Sequence, residues 1–356
     1  MKIIPSTIFT LCLFTVGKVF GQTPASPVAV SGFVDAYYSK NFNQPGSRIN
    51  KLHNFDIAEN QFTLSLVEIV LQKKSEPVGF RIDADFGTTN DVVQLGSGSA
   101  TLPFLQQAYL TAVLPIGDGL TVDAGKFVTH MGYEVIESKD NWNYGRSLLF
   151  AWAVPYYHTG IRLAYPVASN FTATIHVVNG WNSVTDNNNF KSLGLTLNYT
   201  PISSTNLILN VMDGVEQSDA TIAGKKKVFD FIVLHQLTES FSIAANVDYG
   251  DERTFNGLAI WKGAAIYGRF IIDSKSAVAI RGEIFDDPMG YATGTGTPKL
   301  DVKEITGTYE YKFADAFLVR GEARYDFSNA SLFDNKTIIN SKNAQTTMLV
   351  GIVSSF

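Results

Sequence analysis

The chain is 356 residues long and carries 28 Lys and Arg against 33 Asp and Glu, a net charge of −5. That mild acidity argues against nucleic acid as a partner, and a single cysteine leaves no intrachain disulfide or cysteine-based metal site to consider. Hydrophobic residues make up 45% of the chain, yet only its first residues form a continuous apolar run, so helices spanning a membrane are excluded.

That run opens the chain. Lys2 is followed by apolar residues from Ile3 to Val16, then by Val19-Phe20-Gly21 ahead of Gln22, the layout of a cleaved secretory signal peptide over residues 1–21. Cys12 lies inside it behind the bulky Leu11, which argues against a lipoprotein cleavage site. Without Lys2 and Lys18 the exported chain has 26 basic and 33 acidic side chains, a net −7. No linker, charge block or compositional break divides residues 22–356, so they read as a single domain although the length would admit two.

The rest is a succession of strands. Residues 28–39 set Val34, Ala36 and Tyr38 against Asp35 and Ser39, the period of two that sends alternate side chains to opposite faces. A polar stretch, 40–60, leads to 61–72, whose faces conflict because Glu68 falls in phase with Leu64 and Leu66. A tight turn precedes 78–87, where Phe80, Ile82, Ala84 and Phe86 oppose Arg81, Asp83 and Asp85. The Gly/Ser/Thr-rich loop 88–101 separates this from strands 104–114 and 120–128. The longest interruption with chemical content, 130–156, comes next. Strand 157–165 sets Ile161, Leu163 and Tyr165 against Arg162, and is followed by 171–179, 191–199, 206–212, 227–236 and 241–250. After an expected loop at 251–256 come 259–270, and 277–286 with Arg281 and Glu283 on one face. In 302–313, Ile305, Gly307, Tyr309, Tyr311 and Phe313 oppose Thr306, Thr308, Glu310 and Lys312.

The clearest strand is 317–327, F-L-V-R-G-E-A-R-Y-D-F, with Arg320, Glu322, Arg324 and Asp326 on one face and an apolar other face. A helix would spread these charges around its circumference. A soluble sheet would wet the charged face; a membrane barrel would put the apolar face in lipid and the charges in a lumen. Three features choose the barrel: about sixteen strands, a regular alternation of long and short connections, and strands near the ten residues needed to cross a membrane at a tilt. Aromatic residues gather at strand ends: Tyr311 and Phe313 face Phe317 across one short turn, and Tyr165 faces Phe171 across another. Tyr249, Tyr325 and Phe327 lie at loop ends, as in the two aromatic girdles of such barrels. The fold expected is all-β, a transmembrane antiparallel up-and-down barrel surrounded by lipid bilayer and lipopolysaccharide. Met348, Val350 and Ile352 run in phase to Phe356, a terminal pattern suited to the machinery that inserts outer-membrane barrels.

Several stretches resemble the OmpL-like β-barrel porin family of Gram-negative bacteria. They are S-G-F-V-D-A-Y-Y-S-K-N-F-N (31–43), V-G-F-R-I-D-A-D-F-G (78–87), L-Q-Q-A-Y-L-T-A-V-L-P (105–115), and the block from D-A-G-K-F-V-T-H-M-G-Y-E to A-V-P-Y-Y-H-T-G-I-R (123–162). The resemblance is densest in the first half and weak after about residue 200. It implies localisation to the bacterial outer membrane and passive diffusion of small hydrophilic solutes or ions, with a homotrimer open to it.

Inward-facing charges are the candidate pore residues: Arg81, Asp83, Asp85, Arg162, Arg281, Glu283, Glu310, Lys312, Arg320, Glu322, Arg324 and Asp326. The last three charged strands are expected to form a cross-strand ladder of opposite charges. Facing the lipid midplane, an Arg would cost about 2–4 kcal/mol. The functional expectation is a transverse field that filters ions; the plainer one is a self-neutralising wet wall. Loop 130–156 is the third long loop, the one that in sixteen-stranded porins folds inward and narrows the channel. Its constriction candidates are Glu134, Glu137, Asp140, Trp142, Tyr144 and Arg146; an ordinary surface loop is the alternative. Enzyme signals are weak. The five histidines are scattered, with His176 alone clearly phased toward a lumen, and no nucleophile-elbow, zinc-protease or P-loop motif occurs. No cofactor or metal is called for, and the Asp186–Asn189 run reads as a solvated turn rather than a Ca²⁺ loop. An outer-membrane phospholipid hydrolase is the enzyme alternative, and a secreted polysaccharide-binding sandwich the soluble one.

Overall fold

Strands that alternate apolar and polar residues bury their polar face only by closing on themselves, and this chain does so. The computed structural model describes residues 27–95, 102–219 and 224–356; the leader expected over residues 1–21 lies outside them. Sixteen antiparallel strands pair in chain order, and the first closes on the last. They are β1 (Ala29–Asn41), β2 (Gln61–Lys73), β3 (Val78–Phe86), β4 (Leu105–Leu114), β5 (Leu120–Val128), β6 (Tyr157–Ala168), β7 (Phe171–Val178) and β8 (Ser192–Ile202). The second half comprises β9 (Thr205–Gly214), β10 (Lys226–Gln236), β11 (Phe241–Thr254), β12 (Gly257–Ile271), β13 (Ser276–Asp287), β14 (Leu300–Ala314), β15 (Phe317–Ser328) and β16 (Ala344–Ser355). Closure sets Phe33 opposite Ser355 and Asn41 opposite Thr347. The Phe356 amide donates to the Gly32 carbonyl at 3.0 Å, beyond the last strand pair.

The exterior is the lipid face. Ile266, Ile280, Ile305, Val350 and Ile352 are all exposed, Ile266 to 68%, while Thr306, Arg320 and Asp326 on the opposite faces are buried. Exposed aromatics mark both rims. Phe241, Phe270 and Phe313 stand at the short-turn end, and Phe62, Tyr249, Tyr325 and Phe327 at the long-loop end. Phe313 meets Phe317 edge-on at 6.1 Å across the 315–316 turn. Phe171 packs on Tyr199 at 6.3 Å rather than on Tyr165, because the register sets Tyr199 directly opposite it while Tyr165 pairs with Ala173.

Two departures from the expected pattern have local causes. The conflicting faces of β2 come from a bulge: Asp35 pairs with Leu66 and Ala36 with Leu64, leaving Ser65 as the extra residue. Thr63 and Ser65 face inward before it, Leu66 and Glu68 after it, the phase flip that one inserted residue produces. The expected loop at 251–256 is instead a continuation of the barrel wall. Strands β11 and β12 extend to a tight turn, with Thr254 opposite Gly257, and Gly257 adopts φ +116°. Phe255 and Asn256 form the turn, the glycine after them supplies the positive φ that lets the chain rejoin the ladder, and the Thr254 hydroxyl closes it on the Gly257 carbonyl at 2.9 Å. The long–short alternation is broken at that one connection. Loop 87–104 also contains a short helix, α1 (Thr88–Gln94).

Candidate functional site

Loop 129–156 lies inside the barrel. A non-ladder segment there carries backbone N–H and C=O groups that neither lipid nor a neighbouring strand can satisfy, and the wall charges of β13–β15 take them. Carboxylates accept the amides. Glu322 binds the N–H groups of Tyr144 and Gly145 at 2.6 and 2.8 Å, and Glu283 those of Leu148 and Leu149, both at 2.7 Å. Guanidinium groups bind the carbonyls. Arg281 donates to Gly145 O at 2.7 Å, Arg320 to Asn141 O at 2.7 Å and to Ser138 O, and Arg324 to Arg146 O at 2.8 Å. On β1, Asp35 accepts the hydroxyls of Ser138 and Tyr144 at 2.6 and 2.7 Å.

The expected ladder of directly opposed opposite charges holds at one rung, Glu310 with Arg320. Elsewhere like charges sit opposite: Glu283 faces Glu304, and Glu304 faces Asp326. Pairing there runs diagonally, from Arg281 to Glu304 at 2.6 Å and Arg324 to Glu304 at 3.5 Å, while Arg281 also holds Glu134 of the loop at 2.8 Å. Long side chains reach their neighbours' rungs, so diagonal pairing replaces the direct kind.

The twelve wall candidates therefore divide. Arg281, Glu283, Glu310, Arg320, Glu322 and Arg324 are buried beneath the loop, and Asp326 is buried against His53 of loop 42–60. Lys312 shares their phase but is exposed at the short-turn mouth. Arg81, Asp83, Asp85 and Arg162 lie on the other side, along β3–β6. There a cavity of about 240 Å³ is bounded by Glu68, Arg81, Tyr109 and Arg162 on the wall and by Glu137, Lys139 and Asp140 on the loop, where Lys139 pairs with Asp140. It adjoins a second cavity of about 360 Å³ toward the 74–77 turn, with which it shares Arg81 and Tyr109. Arg81 pairs with Asp83 at 2.9 Å and Arg162 with Asp123 at 2.6 Å. The Arg162 guanidinium also lies over the Phe127 ring at 4.7 Å. Both arginines keep part of their side chains accessible while their acids are largely buried. Asp85 is buried directly opposite Glu68 with neither carboxylate oxygen hydrogen-bonded.

Of the loop candidates, Glu137 and Asp140 reach that cavity. Glu134 is turned to Arg281 instead, and Tyr144 is fully buried against Tyr37. Trp142 packs edge-on to Tyr133 at 5.7 Å. Arg146 donates to the carbonyls of Tyr144 and Ile136 and stacks over Phe55 at 4.7 Å.

Sequence reading missed what happens to the histidines. His130 stacks on His176 with ring centroids 4.0 Å apart and lies 5.4 Å from His158; residues 46 positions apart meet because β5–β7 are neighbours. Burial and the two adjacent imidazoles push His130 well below the ordinary histidine range. His53 sits between Asp56 at 2.7 Å and Asp326 at 3.0 Å. The Asp186–Asn189 run is tied to the 215–219 segment by the Asn188 and Asn189 side chains.

A closed sixteen-strand barrel with an apolar exterior, aromatic rims and its third long loop folded inside is an outer-membrane porin. The chain belongs to the beta-barrel porin-2, OmpL-like family, whose sequence profile matches residues 27–356, and its place is the bacterial outer membrane. No curated protein matches it in sequence. Among solved structures it is similar to an anion-selective porin from Comamonas acidovorans, at TM-score 0.64 and 10% identity over 93% of this chain and 99% of that one. It is likewise similar to the outer membrane channel DcaP of Acinetobacter baumannii, at TM-score 0.62 and 11% identity over 95% and 99%. A trimer form of OmpT, an outer membrane protein of Vibrio cholerae, is similar at TM-score 0.62 and 12% identity over 93% and 100%.

Proposed function

We propose that small hydrophilic solutes and ions diffuse passively between loop 129–156 and the β2–β6 wall, and that Arg81 and Arg162 on the wall and Glu137 and Asp140 on the loop set the charge filter. One observation carries this: the loop is fastened to β13–β15 by both its amides and its carbonyls, which leaves the accessible arginines on the far wall facing Glu137 and the Lys139–Asp140 pair of the loop. Opposite charges on two sides of a narrow polar passage create a transverse field that orders water and favours one ion sign. The buried charges of β13–β15 have a different part, holding the constriction in place.

In this reading the chain is a channel rather than an enzyme, in keeping with its family. Residues 1–21 are a cleaved leader, 22–356 one barrel domain, and Phe356 the residue engaged by the insertion machinery. A homotrimer surrounded by lipid and lipopolysaccharide is the proposed assembly, in keeping with the trimer form of the Vibrio cholerae relative. The test is single-channel recording in a planar bilayer under a salt gradient. Stepwise openings are expected, and Arg81→Gln with Arg162→Gln should shift the reversal potential toward cation preference, Glu137→Gln with Asp140→Asn the opposite way. Folded, inserted protein that never conducts would overturn the proposal.

A further inference from the structure

On the long-loop side of the barrel, loops 42–60, 129–156, 179–191 and 288–299 converge on a cavity of about 580 Å³, within the size range of small-molecule sites. Three of the chain's four tryptophans line it, Trp152, Trp181 and Trp261, together with Tyr291 and Lys226. Trp152 stands on the single π-type turn Leu149–Ala153 of the infolded loop. It is partly exposed, and among the described residues no other aromatic ring packs on it. Trp181 and Trp261 meet at 89° and 6.4 Å, forming a corner, and Tyr291 lies 6.1 Å from Trp261.

The polar atoms of these rings are largely committed elsewhere. The Trp152 and Trp261 indole N–H groups donate to Leu52 O and Ala153 O, both at 3.1 Å. The Tyr291 hydroxyl donates to Glu252 at 2.6 Å. What the cavity offers a solute is therefore ring faces and C–H edges, with the aliphatic side chains of Ile57, Val92, Leu95 and Val154 completing its apolar lining. The one cation lining it, Lys226, is neutralised by Glu252 at 2.9 Å and sits 4.3 Å over Trp181 and 5.8 Å over Trp261. The position where aromatic walls would attract a cationic solute is thus already filled from within, and no unpaired charge remains for an anionic one. Flat apolar faces beside a polar rim of Asn54, Asn182 and the neutralised Lys226 match one solute chemistry: an uncharged ring with an apolar C–H face and a hydroxylated edge.

We propose that this vestibule is a binding site for neutral pyranose sugars, with Trp152 as the stacking platform and Trp181 and Tyr291 as side walls, so that sugar is collected above the constriction. The proposal rests on the porin reading for its purpose, but the site itself can be tested without conduction. In detergent-solubilised folded protein, intrinsic tryptophan fluorescence is titrated with methyl glucoside, maltose and maltotriose, with sorbitol as the acyclic polyol and benzoate as a planar anion. A saturable change with the pyranosides, absent with sorbitol, is expected. Trp152→Leu should weaken it about tenfold, the loss of one stacking contact, while Trp152→Phe retains most of it. Should Trp152→Leu not fold, Tyr291→Leu on the exposed rim takes its place. No saturable response, an equal response to sorbitol, or saturation by benzoate alone that is lost in Lys226→Gln would overturn the proposal. In bilayers the same sugars should block current saturably. Sugar binding by a protein that does not conduct would refute diffusion and keep the site, whereas conduction with no sugar response would do the reverse.

Discussion

Arg281 makes five hydrogen-bond partners, among them Glu134, Glu304 and the Gly145 carbonyl, while fully buried. Removing one member of such a network strands charges that water cannot reach, at about 3–5 kcal/mol. Arg281→Met should therefore free the infolded loop and raise single-channel conductance and current noise, with the barrel still inserted; unchanged conductance would deny Arg281 its anchoring part. His53 has a pH-dependent role of the same kind. Its burial favours the neutral form, but the charges of Asp56 and Asp326 with their hydrogen bonds together outweigh this and the opposing Arg324, lifting its pKa from 6.5 to about 9. For Asp56, burial is outweighed by His53, Arg324 and Arg146 together, and its pKa falls from 3.8 to about 2. A raised histidine contributes stability that is complete below 6.5 and lost as pH rises through about 9. A depressed aspartate contributes above 3.8 and is lost as pH falls through about 2. Loop 42–60 should accordingly be held best between about pH 4 and 6.5, and limited proteolysis of that loop should quicken from pH 6 to pH 9.5. In His53→Gln the quickening should disappear.

Among the elements, the infolded loop shows how an irregular segment persists at membrane depth: carboxylates cap its amides and guanidinium groups its carbonyls. Glu283→Ala leaves two buried amides without acceptors, each worth about 1–3 kcal/mol. It should loosen the turn Leu149–Ala153 that carries Trp152, which faster hydrogen exchange at Leu148 and Leu149 would register. How much of this was legible differs by element. The charged face of 317–327 was plain from alternation, and so was the identity of the third long loop. That Arg320, Glu322 and Arg324 serve a loop rather than a water-filled wall was not, because their partners are backbone groups about 180 residues away that no side-chain pattern reports. Strand β2 was unreadable for a related reason: an inserted Ser65 reverses the phase, and only the pairing with Asp35 and Ala36 locates it. The β11–β12 turn, in contrast, has a local signal, the glycine at 257, but alternation does not carry across it, so residues 251–256 read as loop.

For the molecule as a whole, stability comes from closure. Every strand has two neighbours, and the β1–β16 pairing leaves no edge exposed to lipid. The outward face is tested by Ile266, 68% exposed near the middle of β12. Ile266→Arg should cost about 2–4 kcal/mol of folding free energy in vesicles, whereas the same change at Phe255 in the β11–β12 turn, outside the apolar band, should cost little.

The sequence by itself determined the class of the molecule. Period-two alternation fixes which side chains meet lipid and which do not, strand length fixes that they cross a bilayer, and the long–short rhythm fixes an up-and-down barrel, because each is a local property of consecutive residues. Only the tertiary structure decided what the inward charges face. The pattern assigns Arg81 and Arg281 to the same side of the wall; the infolded loop leaves the first beside a cavity and buries the second. The same loop brings Trp152 to Trp181 and Trp261, and the three histidines meet where β5–β7 run together. Contacts of this kind depend on how the closed barrel stacks distant strands around one loop, and that geometry has no signature in any single stretch of the chain.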